Sequence, residues 1–135
     1  TRFIGVSNFS APLLGEAQSN LKDHRLVADQ VEYSLIEQSP RRELVPYCEE
    51  NDVMLIAYTP LAKGRLAQPG NTVLDEMARK YGKTQGQVSL NWLISQEKVI
   101  AIPKASRLIH LKENLGAVGW RLEKGDANRL GEAFL

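Results

Sequence analysis

Apolar positions along the chain fall into two rhythms. Short β-rich runs recur at Arg2–Ser7, Leu26–Tyr33, Val53–Tyr58 and Val99–Ile102. The third is unbroken from Val53 to Ala57, the pattern of a strand buried on both faces of a parallel sheet. Helical spacing fills the intervals. Ser10 reads as an N-cap, with Pro12 in the first turn, for a helix to about Lys22. Pro40 opens a second, with Leu44, Val45 and Tyr47 inward and a break at Asn51-Asp52. Thr72–Tyr81 turns Val73, Leu74, Met77 and Ala78 to one side and stops at Gly82. Thr84 caps a helix to Gln96 that buries Val88, Leu90, Trp92, Leu93 and Ile94. Ser106 caps another, with Leu108, Leu111, Leu115 and Val118 as its buried stripe. Glu123–Phe134 holds a last short helix, expected to pack across the outside.

The order is β-α-β-α-β-α-α-β-α-α. Such alternation implies parallel strands joined by right-handed crossovers. The units are roughly 20 to 45 residues long, as in barrels. Four of them are half of an eight-stranded (β/α) barrel, which takes about 250 residues. A complete open α/β sheet is the alternative. A half barrel exposes two sheet edges and apolar helix surface, so it needs its other half or a second copy of itself. The chain starts at Thr1, in a strand-like run, which points to a piece of a longer polypeptide.

Composition narrows the function. The 135 residues carry a net charge of +1 and no basic run, which speaks against nucleic acid or membrane as a partner. No apolar stretch nears the roughly 20 residues of a membrane helix, and no signal peptide is expected. The single cysteine, Cys48, suits a reducing cytoplasm and reads as a buried structural thiol. His24 and His110 sit in polar surroundings, and no metal-ligand spacing is present.

Each strand ends on polar residues. Asn8 and Gln30 can pair with a carboxamide, because an amide offers both donor and acceptor. Tyr58 can stack on a flat heterocycle. The Thr59–Gly70 loop can cover a pyrophosphate with backbone N–H groups. Lys104 and the helix start at Ser106 can hold a further phosphate, and Asn114 can reach an adenine edge. Together these residues suit a dinucleotide laid across four strand ends.

Four motifs then stand in register. They are Ile4-Gly5-Val6-Ser7-Asn8-Phe9, Asp29-Gln30-Val31-Glu32-Tyr33, Ala57-Tyr58-Thr59-Pro60-Leu61-Ala62-Lys63-Gly64, and Ile102-Pro103-Lys104-Ala105-Ser106 with Lys112-Glu113-Asn114-Leu115. Their order and spacing resemble the aldo-keto reductase family across essentially the whole chain. The resemblance implies a (β/α)₈ TIM-type barrel of which this chain is strands five to eight, the carboxyl-terminal half. It implies NADP(H) as cofactor, with NAD(H) possible, and a small carbonyl substrate reduced to an alcohol. By that resemblance Ser7, Asn8 and Gln30 hold the nicotinamide carboxamide, and Tyr58 stacks on its ring. Thr59, Leu61 and Lys63 line the pyrophosphate. Lys104 and Ser106 meet the 2′-phosphate, and Glu113 and Asn114 the adenine. Two positions depart from the pattern. Ala105 stands where many members have serine, and His110 where many have arginine. The family's catalytic Asp, Tyr, Lys and His have no match here, so the chain by itself is expected to lack carbonyl reductase activity. A non-catalytic dinucleotide-binding module on the same barrel is the alternative.

Overall fold

Local chemistry sets the helix ends in this computed structural model, which describes residues 1–135. The Ser10 hydroxyl oxygen accepts the Leu13 N–H at 3.4 Å and starts α1 (Ala11–Ser19). Asn71 does the same for Leu74 at 3.0 Å ahead of α3 (Thr72–Tyr81), which ends at Gly82 in the left-handed region, φ 62°. Glycine takes that conformation without steric cost. Thr84 and Gln87 satisfy each other's backbone N–H groups in a capping box that opens α4 (Gln85–Ile94).

The strands are β1 (Ile4–Ser7), β2 (Leu26–Glu32), β3 (Met54–Tyr58) and β4 (Val99–Ala101). The remaining helices are α2 (Leu44–Glu50), α5 (Leu108–Leu115) and α6 (Lys124–Glu132). Every neighbouring pair is parallel, and the sheet order is β1-β2-β3-β4. Strands added always on the same side, through right-handed crossovers, place their helices on one face. A doubly wound sheet would reverse direction partway and cover both. The winding here is of the barrel kind.

That one-sidedness corrects the reading of β3. Its run is not buried on both faces. Leu55 and Ala57 are fully buried against the helices, whereas Met54, Ile56 and Tyr58 are only half-buried. Register carries the difference across the sheet. Val6, Asp29, Leu55 and Val99 form one row on the covered face, and Ser7, Gln30, Ile56 and Ile100 form the next row on the open one. Ile100 is 43% exposed.

The covered face builds the core from Leu14 of α1, Cys48 of α2, Leu55, Met77 of α3, Leu93 of α4 and Leu130 of α6. Tyr33 meets the Trp92 ring edge-on at 5.5 Å and donates to Gln96 Oε1 at 2.7 Å. Asn91, fully buried, donates to the Ala117 and Trp120 carbonyls and accepts the Leu122 N–H. It thereby pins the segment after α5 to α4. The expected outer helix, α6, does close over the molecule. The Trp92 indole N–H donates to Ala127 O at 3.0 Å, and the Gln38 amide donates to Gly131 O at 2.8 Å.

Four other expectations change. Pro40 opens only a 3₁₀ turn, Ser39–Arg41, and α2 starts at Leu44. Ile94 is half-buried rather than buried. The α5 stripe is not buried at all. Leu108 is 66% exposed, Leu115 60% and Val118 57%, and α5 has no buried residue. Arg107, not Ser106, occupies its N-cap, with no side-chain cap bond. As the last unit of the sheet, α5 has α4 on one side and nothing on the other.

No helix is long and apolar enough to cross a membrane.

Candidate functional site

The carboxyl ends of β1, β2 and β3 bring Ser7, Asn8, Gln30 and Tyr58 to one rim. The Ser7 hydroxyl donates to the Gln30 backbone carbonyl at 2.8 Å, and the Asn8 N–H donates to the same oxygen at 2.9 Å. Asn8 has φ 60°, a left-handed conformation that asparagine tolerates better than most residues. Its Oδ1 accepts the Tyr58 hydroxyl at 3.2 Å. Gln30 and Tyr58 are half-buried, and Ser7 and Asn8 are exposed. An amide pair and an aromatic ring thus share one rim.

Beyond Tyr58 the backbone is unusual. Thr59, Ala62 and Lys63 have φ 51°, 48° and 58°, followed by Gly64 at 91°. For non-glycine residues this region costs about 1–2 kcal/mol each, so the loop must be held. Ala62 N–H bonds to Thr59 O at 2.9 Å, Gly64 N–H to Leu61 O at 2.9 Å, and Leu66 N–H to Leu61 O at 3.2 Å. Leu66 is buried, and its carbonyl accepts the Ser89 hydroxyl of α4 at 3.4 Å.

This loop, the Ile102–Arg107 turn and the first turns of α5 enclose a cavity of about 750 Å³, a size usual for ligand sites. Of the expected residues, Thr59, Leu61, Lys63, Lys104, Ser106, His110, Glu113 and Asn114 line it. Ser7, Asn8, Gln30 and Tyr58 form the adjoining cluster instead, joined to the cavity through the Tyr58-Thr59 peptide. Ser106 lines the wall from the turn and not as a helix cap. The lining holds three full cations, Lys63, Lys104 and Arg107, and one carboxylate, Glu113, whose Oε2 lies 3.9 Å from His110 Nδ1. The balance is cationic, which suits phosphate groups. Gln68 and Gly86 also line the cavity, and the motifs did not point to them. Gly86 carried a faint signal: glycine in the first turn of a helix often marks a close approach.

The size, the cationic wall and the amide-and-aromatic rim all fit a dinucleotide. They describe an α/β protein with a cationic cavity at its strand ends. The aldo/keto reductase family profile matches residues 1–134, and the chain belongs to that family. It is 37% identical over 136 residues to the NAD(P)H-dependent 6′-deoxychalcone synthase of Glycine max, a match covering 98% of this chain and 42% of that protein. Among solved structures, a thermostable aldo-keto reductase, Tm1743, in complex with the inhibitor epalrestat, is 40% identical with a TM-score of 0.90. That match covers 98% of this chain and 48% of that one. An aldo/keto reductase from Klebsiella pneumoniae, in complex with NADP and acetate, is 29% identical with a TM-score of 0.86, covering 98% and 48%. The chain therefore spans a little under half the length of these relatives.

Proposed function

We propose that this chain is the carboxyl-terminal half, strands five to eight, of the (β/α)₈ barrel of an NADP(H)-dependent aldo-keto reductase. The intact enzyme would reduce a small aldehyde or ketone to the alcohol. One observation carries the reading: the amide-and-aromatic cluster of Ser7, Asn8, Gln30 and Tyr58 runs directly into the cationic cavity at Lys104. The open sheet face, the uncovered α5 stripe and the span relative to the relatives all favour an amino-terminal half as the missing partner.

In this reading a bound reduced nicotinamide supplies hydride to the carbonyl carbon. The chain's residues do the holding. Ser7, Asn8 and Gln30 fix the carboxamide, and Tyr58 covers one face of the ring. The strained Thr59–Gly64 turn, with Leu61 and Lys63, spans the pyrophosphate. Lys104 and Ser106 take the 2′-phosphate, with Glu113 and Asn114 at the adenine. The Tyr58 hydroxyl is already bonded to Asn8, which suits a stacking residue rather than the proton donor. The acid that protonates the carbonyl oxygen is assigned to the other half.

The test is cofactor discrimination in the intact enzyme. A charge-assisted contact is worth about 1.5–3 kcal/mol, roughly one to two decades in Kd. Lys104→Ala should weaken NADPH by that amount and leave NADH nearly unchanged. His110→Arg should tighten NADPH, because a guanidinium fork grips phosphate better than an imidazole. Equal weakening of both cofactors by Lys104→Ala would remove the 2′-phosphate assignment.

A further inference from the structure

Asp29 breaks the pattern of the face it lies on. Its partners across the sheet in the same row are Val6 and Leu55, and that face packs on the helices. Asp29 is 0% exposed. The ion pairs of the molecule lie elsewhere. Its Oδ2 has no hydrogen-bond partner, and its Oδ1 has one, the Phe9 N–H at 3.4 Å. Burial raises its pKa above the ordinary aspartate value, and the Phe9 bond offsets this only in part. Nearby, the Cys48 thiol is pushed up to about 11, first by burial and then by the charges of Asp29 and Glu49. A dry, unpaired carboxyl is a burden that an apolar residue at this position would relieve.

Its single bond falls next to the site. Phe9 follows Asn8, the left-handed residue whose amide meets Tyr58. Strand β2 grips two consecutive N–H groups of that turn from two consecutive residues. The Gln30 carbonyl takes Asn8 N–H, and the Asp29 carboxyl takes Phe9 N–H. Phe9 also precedes the Ser10 cap of α1, so the carboxyl stands at the positive end of that helix. With both N–H groups held, the peptide planes on either side of Asn8 are fixed and its side chain leaves the turn in one direction.

We propose that Asp29 is a positioning residue: through the Phe9 N–H it fixes the left-handed Asn8 turn, and so aims the amide that receives the ring end of the dinucleotide. This rests on the cofactor reading above. What the turn needs from residue 29 is an acceptor, not a charge. Asparagine supplies one and leucine does not.

The experiment compares Asp29→Asn and Asp29→Leu in the intact protein. It reads NADPH and NADH affinity by fluorescence titration, the urea midpoint, and hydrogen exchange at the Phe9 amide. Asp29→Leu should keep or raise the midpoint, speed Phe9 exchange, and weaken both dinucleotides alike by roughly three- to tenfold, the value of one hydrogen bond. Asp29→Asn should bind both within about twofold of the wild type with a midpoint no lower. Unchanged affinity in the leucine variant overturns the inference and leaves the cofactor reading intact. An asparagine variant as weak as the leucine one overturns it too, as does a leucine variant that loses stability along with binding. A wild-type protein that binds neither dinucleotide fails the cofactor reading itself, and the inference with it.

Discussion

Helices α4 and α5 are neighbours with similar apolar content and opposite fates. In α4, Val88, Ser89, Leu90, Asn91, Trp92 and Leu93 are all buried, because α3, α5, β4 and the loop after β3 surround it. In α5 nothing is buried, although Leu108, Leu111 and Leu115 recur at helical spacing. Helical spacing records that a face is meant to be covered. It does not record whether the cover lies in the same chain.

Truncating one leucine in each helix separates the two fates most directly. Leu93→Ala should cost about 2–5 kcal/mol, the range for emptying a packed core site. Leu115→Ala in the same 135-residue chain should stay within about 0.5 kcal/mol, read from urea unfolding of both. In the intact protein the Leu115 variant should become markedly more costly, because the proposed amino-terminal half then covers the stripe. A small value in both settings would leave α5 uncovered and count against the half-barrel reading.

A second effect, somewhat smaller, concerns the seam between the two helices. Asn91 satisfies two carbonyls and one N–H of the segment after α5. Asn91→Ala leaves these buried groups unpaired and should cost about 2–4 kcal/mol. Hydrogen exchange should show the loss at Leu122 first. Uniform loosening throughout the chain would mean that Asn91 is simply another core residue.

The smallest effect is electrostatic and again separates the two regions. Asp126 shares the clasp of α3 to α6 with the Arg129–Glu76 pair, and accepts from Lys80 Nζ at 2.6 Å and from the Tyr81 hydroxyl at 2.5 Å. Lys80 first, then Tyr81, hold its pKa below the ordinary aspartate value. The folded state therefore binds that proton less readily than the unfolded state. The stabilisation is present above the ordinary value and is lost as pH falls through the lowered one. Asp126→Asn should flatten the acid side of the stability curve, measured as urea midpoint against pH. The exposed end of α5 should show no such dependence on residue 126.

Much of this organisation was legible in the residues. Alternation fixed the parallel order, and Thr72–Tyr81 has the limits its caps implied. Ser10 and Thr84 cap as their hydroxyls allow. The site was legible where its parts are contiguous in sequence, as in Tyr58-Thr59 or Lys104-Ala105-Ser106. It was not legible where a second element supplies a wall, as Gly86 of α4 does. The Val53–Ala57 run misled because composition alone cannot reveal that all the helices lie on one side. Asp29 was hidden because a carboxylate reads as an exposed residue, although strand alternation puts it on one face with the buried Val31.

The α6 clasp has a consequence for the order in which the molecule can form. Each strand pairs with the one made just before it, so the sheet can grow by accretion as the chain emerges. The contacts of α6 run the other way. The Gln38 amide waits for the Gly131 carbonyl, 93 positions later, and the Trp92 indole waits for Ala127. Until the final helix is made, the Trp92 indole N–H and one N–H of the Gln38 amide have only water as acceptor, the other Gln38 N–H being held by Leu35 O at 2.8 Å. An amino-terminal growing intermediate should therefore hold its sheet while Trp92 stays mobile, with indole emission reaching its native value only once α6 has docked.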